Sequence, residues 1–175
     1  MRLEQALSLI KAVPDFPIPG ILFQDINPLL VDHQALAAVI GAMAEIPSQA
    51  TVVAGIEARG FILGSALAHV SGRGFLPVRK LGKLPGQTLQ MSYHLEYGSD
   101  GLEIPDGLIS AGTTLLLVDD VLATGGTVEA ALSLLGQTES IVLDLIVLLE
   151  IAALSGRERL SKSFPNLRVH SLLTI

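Results

Sequence analysis

The sequence has no cysteine and few charged residues. Among its 175 residues, 11 are Lys or Arg and 17 are Asp or Glu, which gives a net charge of −6. The absence of cysteine excludes disulfides, thiolate metal sites and a thiol nucleophile. Because the chain is acidic overall, it is a poor general ligand for nucleic acids and anionic membranes. We therefore expect neither of them among its partners.

Several well-known functional motifs are also missing. No G-x-x-x-x-G-K-[ST] run is present, which excludes a Walker A loop, and there is no dinucleotide-binding glycine fingerprint. A serine-hydrolase elbow, G-x-S-x-G, is absent as well. No metal-ligand spacing connects the four histidines, which are His33, His69, His94 and His170. A zinc site is therefore not expected.

The sequence lacks a hydrophobic run of the length that a membrane helix needs. The most apolar stretch, residues 141–154, is interrupted by Asp144 and Glu150 and is shorter than the roughly 20 residues required. The N-terminal segment has the pattern of an amphipathic helix rather than a secretory signal. Half of the residues are hydrophobic and the mean hydropathy is +0.57, which excludes intrinsic disorder. We expect one globular domain, located in the cytoplasm.

Helical and strand patterns alternate along the chain. Helices are predicted over residues 2–12, 32–45, 59–70, 126–135 and about 152–160, with Asp32 as an N-cap. Strands are predicted over residues 51–56, 75–79, 92–97, 113–118, 141–149 and 168–173. Irregular segments are predicted at residues 15–20 and 81–87. This alternation predicts an α/β fold with a mainly parallel sheet, in which ligands bind at the carboxyl ends of strands.

The strongest local signal is LLLVDDVLATGGT, at residues 115–127. A buried strand is expected to end in Asp119 and Asp120. The loop that follows comprises Ala123, Thr124, Gly125, Gly126 and Thr127, and it leads into a helix. Glycine backbone, threonine hydroxyls and a helix N-terminus suit a phosphate group, whereas the carboxylates suit ribose hydroxyls or a metal ion. The segment therefore predicts a sugar-phosphate site, although an ordinary strand-to-helix loop with an Asp cap is the alternative.

The same segment resembles the signature of type I phosphoribosyltransferases, which bind 5-phosphoribosyl-1-pyrophosphate (PRPP). Five further stretches are similar, in order and spacing, to the members of this family that act on adenine. They are PGILFQDINPLL (19–30), GIEARGFILG (55–64), VRKLGKLPGQT (78–88), YHLEYG (93–98) and GRERL (156–160). The resemblance covers nearly the whole chain.

This resemblance implies an architecture and a reaction. The fold would be a mainly parallel sheet flanked by helices, with an N-terminal hood at about residues 1–32 and a mobile lid at about 80–97. The reaction would convert adenine and PRPP into AMP and pyrophosphate, as in purine salvage. The implied cofactor is Mg²⁺, held mainly by substrate and water rather than by protein ligands. A homodimer is implied as well.

Roles for individual residues follow from the resemblance. Asp119 and Asp120 would bind the ribose hydroxyls, and the loop from Ala123 to Thr127 would bind the 5-phosphate. Four cations would meet the pyrophosphate, namely Arg59, Arg79, Lys80 and Lys83. From the residues alone, the cations between Arg79 and Lys83 could equally belong to a solvated loop.

The implied reaction centre and base pocket draw on other segments. Glu96 would manage the adenine proton, with Arg59 and Lys83 as the other catalytic residues. The adenine pocket would include Phe23, Gln24, Asp25 and Tyr97. Two alternatives remain open, because Glu96 could be an ordinary exposed carboxylate and Phe23 an ordinary core residue. Gln24 also replaces the Arg or Lys that is usual in the family.

Two other functions remain open at this point. The first is transfer to another purine base, such as guanine, xanthine or hypoxanthine, which the PRPP site cannot distinguish from adenine. The second is a non-catalytic regulator that binds PRPP. The hood and lid stretches favour adenine, and the absence of a basic face argues against a regulator that binds DNA.

Overall fold

The structure is a computed structural model that describes residues 1–95 and 98–175. The chain forms two compact units, Met1–Ile46 and Pro47–Ile175. Glu96 and Tyr97, two of the predicted site residues, lie outside the described residues. The single-domain organisation, the hood and the lid remain predictions.

The first unit combines three helices with a small antiparallel sheet. The helices are α1 (Leu3–Leu7), α2 (Asn27–Val31) and α3 (His33–Ala44), and the strands are β1 (Lys11–Pro14) and β2 (Leu22–Asp25). The predicted cap of α3 is confirmed, since Asp32 accepts hydrogen bonds from the backbone N–H groups of Gln34 and Ala35 at 2.9 and 3.0 Å. Such a cap satisfies amide groups that have no partner within the helix.

The prediction of a helix over residues 2–12 is wrong in its second half. The helix ends at Leu7, and the chain becomes extended from Lys11. Pairing with β2 is the reason, because Lys11 lies opposite Asp25 and Val13 lies opposite Phe23. An amphipathic pattern in the sequence does not report such partners, which lie 8 to 14 residues further along the chain.

The second unit contains a seven-stranded sheet in the order β5-β6-β4-β3-β7-β8-β9. Strands β3, β4, β7, β8 and β9 are parallel, whereas β6 is antiparallel to β4 and β5. The strands are β3 (Val52–Ile56), β4 (Gly74–Lys80), β5 (Thr88–Leu95), β6 (Gly98–Pro105), β7 (Thr114–Leu122), β8 (Ile141–Glu150) and β9 (Arg168–Thr174). The helices are α4 (Arg59–Val70), α5 (Gly126–Gly136) and α6 (Gly156–Ser163), with a 3₁₀ turn at Ala152–Leu154.

Helices cover the sheet as the apolar runs in the strands require. Leu115 and Leu117 are fully buried in one cluster with side chains of α5, such as Leu134. Val118 has the opposite orientation and lies close to Gly64 of α4, because successive strand residues point to opposite faces. Full burial of each such side chain contributes about 1.5–3 kcal/mol. The predicted α/β class with a mainly parallel sheet is confirmed.

Two further boundaries differ from the prediction, and one strand was missed. Strand β7 continues through the carboxylates to Leu122, because its pairing with β8 extends as far as Leu122 and Glu150. The helix predicted near residues 152–160 is divided at Ser155, whose φ of 54° ends the 3₁₀ turn before α6. Strand β6 was not predicted. Within residues 1–95 and 98–175, no helix has the length and apolar character needed to cross a membrane.

Candidate active site

The candidate site lies at one edge of the large sheet, where three parallel strands end. Strands β4, β3 and β7 are neighbours in that order, so the segments that follow them meet at the same edge. These strand ends and segments carry Arg59 after β3, Arg79 and Lys80 at the end of β4 with Lys83 after it, and the phosphate-type loop after β7. The topology thus brings together residues that are up to 68 positions apart in sequence, from Arg59 to Thr127.

The two carboxylates of β7 are nearly inaccessible to solvent. Asp119 is 8% exposed and Asp120 is 6% exposed. Asp119 accepts a hydrogen bond from the backbone N–H of Asp120 at 2.9 Å. Oδ2 of Asp120 lies 2.8 Å from Nη2 of Arg59, yet it has no hydrogen bond of regular geometry within the described part of the chain. This oxygen is therefore an acceptor that a substrate hydroxyl could use.

A close approach of α4 to β7 places Arg59 beside Asp120. Gly60 follows Arg59, and a Cβ atom at this position would lie 2.8 Å from the carbonyl oxygen of Val118 and 3.1 Å from Oδ1 of Asp119. Only glycine permits this separation without a shift of one element. Gly60 thus allows the start of α4 to lie close enough to β7 for the Arg59 guanidinium to reach the carboxylates.

The pKa of Asp119 lies well above its ordinary value. Burial is the main cause, and repulsion from the Asp120 carboxylate adds to it. The Arg59 guanidinium acts in the opposite direction but does not outweigh burial. The site therefore carries an unfavourable buried negative charge, which a cationic or hydrogen-bond-donating ligand would relieve.

The loop that follows β7 has the geometry of an anion site. Gly125 adopts a φ of 83°, and α5 begins at the next residue. The first amide groups of α5 have no partners within the helix, and the helix dipole favours an anion at this end. A concavity of about 70 Å³ is lined by Asp119 and by residues 121–128. It is much smaller than the roughly 300–1,000 Å³ of a whole-ligand pocket, so it suits one group such as a phosphate.

The outer side of this loop rests on the start of α6. Gly156 is buried there, and a Cβ atom on it would lie only 2.2 Å from the carbonyl oxygen of Ala123. Next to Gly156, Arg157 forms an ion pair with the buried Glu150 at the end of β8, with Nη2 to Oε2 at 2.5 Å. Arg157 also donates to the carbonyl of Val169 at 2.7 Å. Helix α6 is therefore tied to the ends of β8 and β9 and supports the loop from behind.

The two predicted cations at the end of β4 are engaged with carboxylates. The Arg79 guanidinium donates to Glu57, with Nε to Oε2 at 3.1 Å and Nη2 to Oε1 at 3.3 Å. Lys80 forms an ion pair with Asp100 of β6 and donates to the hydroxyl of Tyr93 at 3.0 Å. Burial lowers the pKa of Lys80, but these two partners outweigh it and raise the pKa above its ordinary value.

Lys83 differs from these two cations. Its side chain is exposed, and it lies in the loop between β4 and β5. The Lys80 backbone N–H donates a hydrogen bond to Oε2 of Glu57 at 2.8 Å, so Glu57 also holds the main chain at the end of β4. The structure therefore provides one exposed lysine close in sequence to two cations that are already paired.

The three predicted base-pocket residues that the structure describes lie in the first unit. Phe23 contacts Phe16 edge-to-face, with the ring centroids 5.1 Å apart. Gln24 is buried, and Oδ1 of Asp25 accepts a hydrogen bond from the backbone N–H of Asn27 at 2.9 Å. All three belong to β2. Their roles toward a base remain predictions, as do those of Glu96 and Tyr97.

The donor set fits a magnesium ion that is held mostly by its substrate. Among the described residues, no group of three or more His, Asp or Glu side chains could hold a metal ion. Asp119 and Asp120 offer hard carboxylate oxygens at the strand end. Mg²⁺ typically uses only one or two carboxylates and completes its shell with water and substrate phosphates.

Sequence reasoning missed two carboxylates, Glu57 and Glu103, which accept hydrogen bonds from residues 79–84, the basic segment. Glu57 stands just before Arg59 in a motif that was recognised, but its role toward Arg79 depends on the pairing of β3 with β4. Glu103 is buried between Leu102 and Ile104, and an acidic residue inside an apolar strand is a signal that could have been noticed. Glu150 in its apolar run was such a signal, and its partner is Arg157.

Comparison with known proteins agrees with this geometry. Residues 29–169 match the model of the phosphoribosyl transferase domain. The match covers most of the chain and includes the strand ends, the carboxylates and the loop described above. The chain therefore belongs to the phosphoribosyltransferase family.

Within this family, the relatives are adenine phosphoribosyltransferases. The chain is 49% identical over 174 residues to the adenine phosphoribosyltransferase of Streptomyces coelicolor, covering 98% of this chain and 96% of that protein. It is 52% identical over 165 residues to that of Francisella tularensis subsp. tularensis, covering 92% and 94%.

Solved structures give the same result. Adenine phosphoribosyltransferase from Rhodothermus marinus superposes with a TM-score of 0.90 at 46% identity, covering 99% of this chain and 98% of that one. The enzyme from Saccharomyces cerevisiae has a TM-score of 0.89 at 37% identity, with 98% of each chain covered. That structure contains adenine and an imino-altritol bisphosphate.

Proposed function

We propose that this protein transfers the 5-phosphoribosyl group of PRPP to adenine, giving AMP and pyrophosphate. The observation that carries the proposal is the juxtaposition of a phosphate-type loop, a buried carboxylate pair and a set of cations at one sheet edge. Similarity to adenine phosphoribosyltransferases over nearly the whole chain, at 49–52% sequence identity, supports the choice of base. The physiological role would be purine salvage.

The proposed arrangement assigns each group of PRPP to a different part of the site. The loop from Ala123 to Thr127 binds the 5-phosphate, because its free amides and the α5 dipole favour a dianion. Asp119 and Asp120 accept hydrogen bonds from the ribose hydroxyls. Arg59, which forms an ion pair with Asp120, meets the pyrophosphate.

The basic segment would receive the leaving group. Lys83 has the exposed side chain, and we assign it to the pyrophosphate together with Arg79 and Lys80. Because those two cations are paired with Glu57 and Asp100, much of their charge is already neutralised, and Lys83 is the cation of this set with an exposed side chain. A Mg²⁺ ion held mainly by substrate and water, with Asp119 and Asp120 as the nearby carboxylates, would supply further charge neutralisation.

Catalysis would depend on placement and electrostatics, since the reaction needs no covalent enzyme intermediate. Adenine N9 attacks C1 of the ribose as the bond to pyrophosphate breaks, and the ribosyl group gains oxocarbenium character. Buried carboxylates close to the ribose stabilise this developing positive charge. Glu96 would accept or return the adenine proton, and Phe23, Gln24, Asp25 and Tyr97 would bind the base. Closure over the site would exclude water.

Direct observation of turnover tests the proposal. The purified protein is incubated with PRPP, Mg²⁺ and adenine, and phosphorus NMR follows the conversion of PRPP. We expect AMP and pyrophosphate to form in equal amounts, and only when adenine is present. Binding of PRPP without turnover of any purine base would contradict the proposal and favour a regulator.

Homodimer formation and location in the cytoplasm remain predictions that the family resemblance supports. Sedimentation of the purified protein tests the first, with a mass of twice the 18.4 kDa chain expected.

A further inference from the structure

A buried carboxylate in strand β6 lies outside the roles assigned so far. Glu103 is only 2% exposed and lies between two fully buried residues, Leu102 and Ile104. In the sheet it is opposite Arg79 of β4 on one side and Gln90 of β5 on the other. A buried carboxylate is unfavourable unless hydrogen bonds compensate for lost hydration. Its partners therefore indicate what the residue stabilises.

The shortest hydrogen bonds that Glu103 accepts come from the backbone of the loop between β4 and β5, residues 81–87, which we call the basic loop. Oε1 accepts from the N–H groups of Lys83 at 2.7 Å and Leu84 at 2.9 Å. Oε2 accepts longer bonds, from Thr88 Oγ1 and Gln90 Nε2, both at 3.3 Å. One carboxylate oxygen thus holds two consecutive amide groups of the loop, and the other is anchored to β5.

The loop bonds also keep the carboxylate ionised. Burial raises the pKa of Glu103, but the backbone N–H groups of Lys83, Leu84 and Gly82 outweigh burial and leave the pKa below its ordinary value. Hydrogen bonds from backbone amides favour the charged form of a carboxylate. Glu103 is therefore a permanent acceptor at neutral pH.

A second contact holds Lys83 from the opposite side. The carbonyl oxygen of Lys83 accepts a hydrogen bond from Nη1 of Arg79 at 3.4 Å, and Arg79 is itself held by Glu57. The main chain of Lys83 is thus held at both its N–H and its C=O, whereas its side chain is exposed. Such an arrangement fixes where a flexible side chain starts without using the side chain itself.

We propose that Glu103 is a positioning residue, which fixes the backbone at Lys83 and Leu84 and so directs the Lys83 ammonium toward the pyrophosphate of PRPP. The proposal rests on the proposed function, because it needs PRPP as the substrate. Glu103 does not touch the substrate, and it acts through the reach of its carboxylate rather than through its charge. Residues 82–84 are then a fixed base of the basic loop, not a hinge.

Two substitutions separate reach from charge. Glu103→Gln keeps the length and an acceptor oxygen but removes the charge, whereas Glu103→Asp keeps the charge and is one methylene too short. We expect kcat/KM for PRPP to fall by less than about threefold in the Gln variant and by at least about tenfold in the Asp variant. The loss should appear in KM for PRPP, with KM for adenine unchanged. The opposite ranking of the two variants would overturn the proposal.

Thr88→Val serves as the matched control. It removes a hydrogen bond to Oε2 but leaves both bonds from Oε1 to the loop backbone. We expect kcat/KM for PRPP to stay within about twofold of the wild type, because the loop remains held. Equal losses in Thr88→Val and Glu103→Asp would show that Glu103 only supports the sheet, and they would contradict positioning.

A double-mutant cycle with Lys83→Ala tests whether the effect passes through Lys83. Glu103→Asp should cost at least about tenfold in the wild-type background and less than about twofold in the Lys83→Ala background. Equal costs in both backgrounds would overturn the proposal. Thermal unfolding of each variant verifies that it is folded.

Hydrogen exchange provides a readout that does not depend on activity. The amides of Lys83 and Leu84 should exchange at least about tenfold faster in Glu103→Asp than in Glu103→Gln. If the wild type does not turn over adenine but the amides exchange faster in the Asp variant, the proposed function fails. The hold of Glu103 on the backbone of Lys83 and Leu84, the backbone clamp, would then still stand. If the two amides exchange equally fast in both variants, the clamp fails whatever the activity is.

Discussion

The two sides of the candidate site are constructed in different ways. On the phosphate side, the carboxylates, the loop and the start of α5 are consecutive in sequence, from Asp119 to Thr127. On the basic side, the Lys83 backbone is held by Glu103, twenty residues away, and by Arg79, which is held in turn by Glu57, 22 residues before it. The phosphate side is therefore a local motif, whereas the basic side exists only after the sheet has formed.

The sides also differ in the state of their acids. Burial and the neighbouring Asp120 raise the pKa of Asp119 on the phosphate side. On the basic side, the pKa of Glu57 lies below its ordinary value, because hydrogen bonds from Arg79 and from the Lys80 backbone outweigh burial. The phosphate side is thus held in an electrostatically unfavourable state that substrate can relieve, and the basic side is already compensated. Neutralising Asp119 should therefore raise stability while lowering activity, whereas neutralising Glu57 should lower stability.

The largest effect is expected from Asp120→Asn. The change preserves the shape of the side chain but places an amide beside the Arg59 guanidinium, and it removes a charged acceptor for the ribose. Loss of a charged hydrogen bond costs about 1.5–3 kcal/mol, so kcat/KM for PRPP should fall by up to about 100-fold. Steady-state kinetics at saturating adenine measure the effect.

The same substitution at Asp106 is the control. Asp106 is exposed, in the turn after β6, and the Asp106→Asn variant should keep the wild-type kcat/KM. Full activity in the Asp120→Asn variant would show that the carboxylate pair is not part of the PRPP site.

An intermediate effect is expected from Gly156→Ala. The added Cβ would lie 2.2 Å from the carbonyl oxygen of Ala123, so α6 and the phosphate loop must move apart. Strain of about 1–3 kcal/mol should raise KM for PRPP by about tenfold, with little change in KM for adenine.

Gly136→Ala is the matched control for that variant. A Cβ at Gly136, the last residue of α5, would meet no atom within 4 Å. The Gly136→Ala variant should therefore bind PRPP as the wild type does. If Gly156→Ala also did so, support of the loop by α6 would be ruled out.

The smallest effects are expected in stability, and their signs should differ between the two sides. Asp119→Asn removes a buried charge, so it should raise Tm at neutral pH by about 2–4 °C while lowering activity. A raised pKa means that folding takes up a proton, and wild-type stability falls as pH rises above the ordinary pKa of Asp. The advantage of the Asn variant should therefore grow with pH. A lower Tm of the variant at pH 8 would contradict the raised pKa.

Glu57→Gln should act in the opposite direction. The pKa of Glu57 is lowered in the folded protein, so its contribution is complete above the ordinary pKa of Glu and is lost as pH falls through the folded value. At neutral pH the variant should have a Tm about 2–4 °C lower than the wild type, and this difference should shrink in acid. Scanning calorimetry between pH 3 and pH 8 decides the matter; a difference that is constant with pH would exclude the ion pair as its source.

How much the sequence predicts follows the same division. The α/β class, the helix at residues 59–70 and the cap at Asp32 are confirmed, since each depends on local pattern. The strand over Lys11–Pro14 was missed, because it exists only through its pairing with β2. Glu103 was missed for a related reason: its role requires the register that places it opposite Arg79. Contacts between distant segments leave no local pattern to read.

The predictions for individual site residues show the same division between local patterns and contacts of distant segments. Arg59 lies against Asp120, a contact that depends on the pairing of β3 with β7 and that the sequence did not predict. The sequence could not reveal that Arg79 and Lys80 would be paired with Glu57 and Asp100, since those partners lie just after β3 and in β6, about twenty residues away. The roles of Phe23, Gln24 and Asp25 toward a base, like those of Glu96 and Tyr97, remain predictions.

The most direct test of the central claim is a competition among purine bases. The protein is mixed with PRPP, Mg²⁺ and equal concentrations of adenine, guanine, hypoxanthine and xanthine, and the nucleotide products are separated by chromatography. AMP is expected to be the only nucleotide formed at early times, with an equal amount of pyrophosphate. Preferential formation of another nucleotide would contradict adenine specificity, and the absence of every product would contradict catalysis itself.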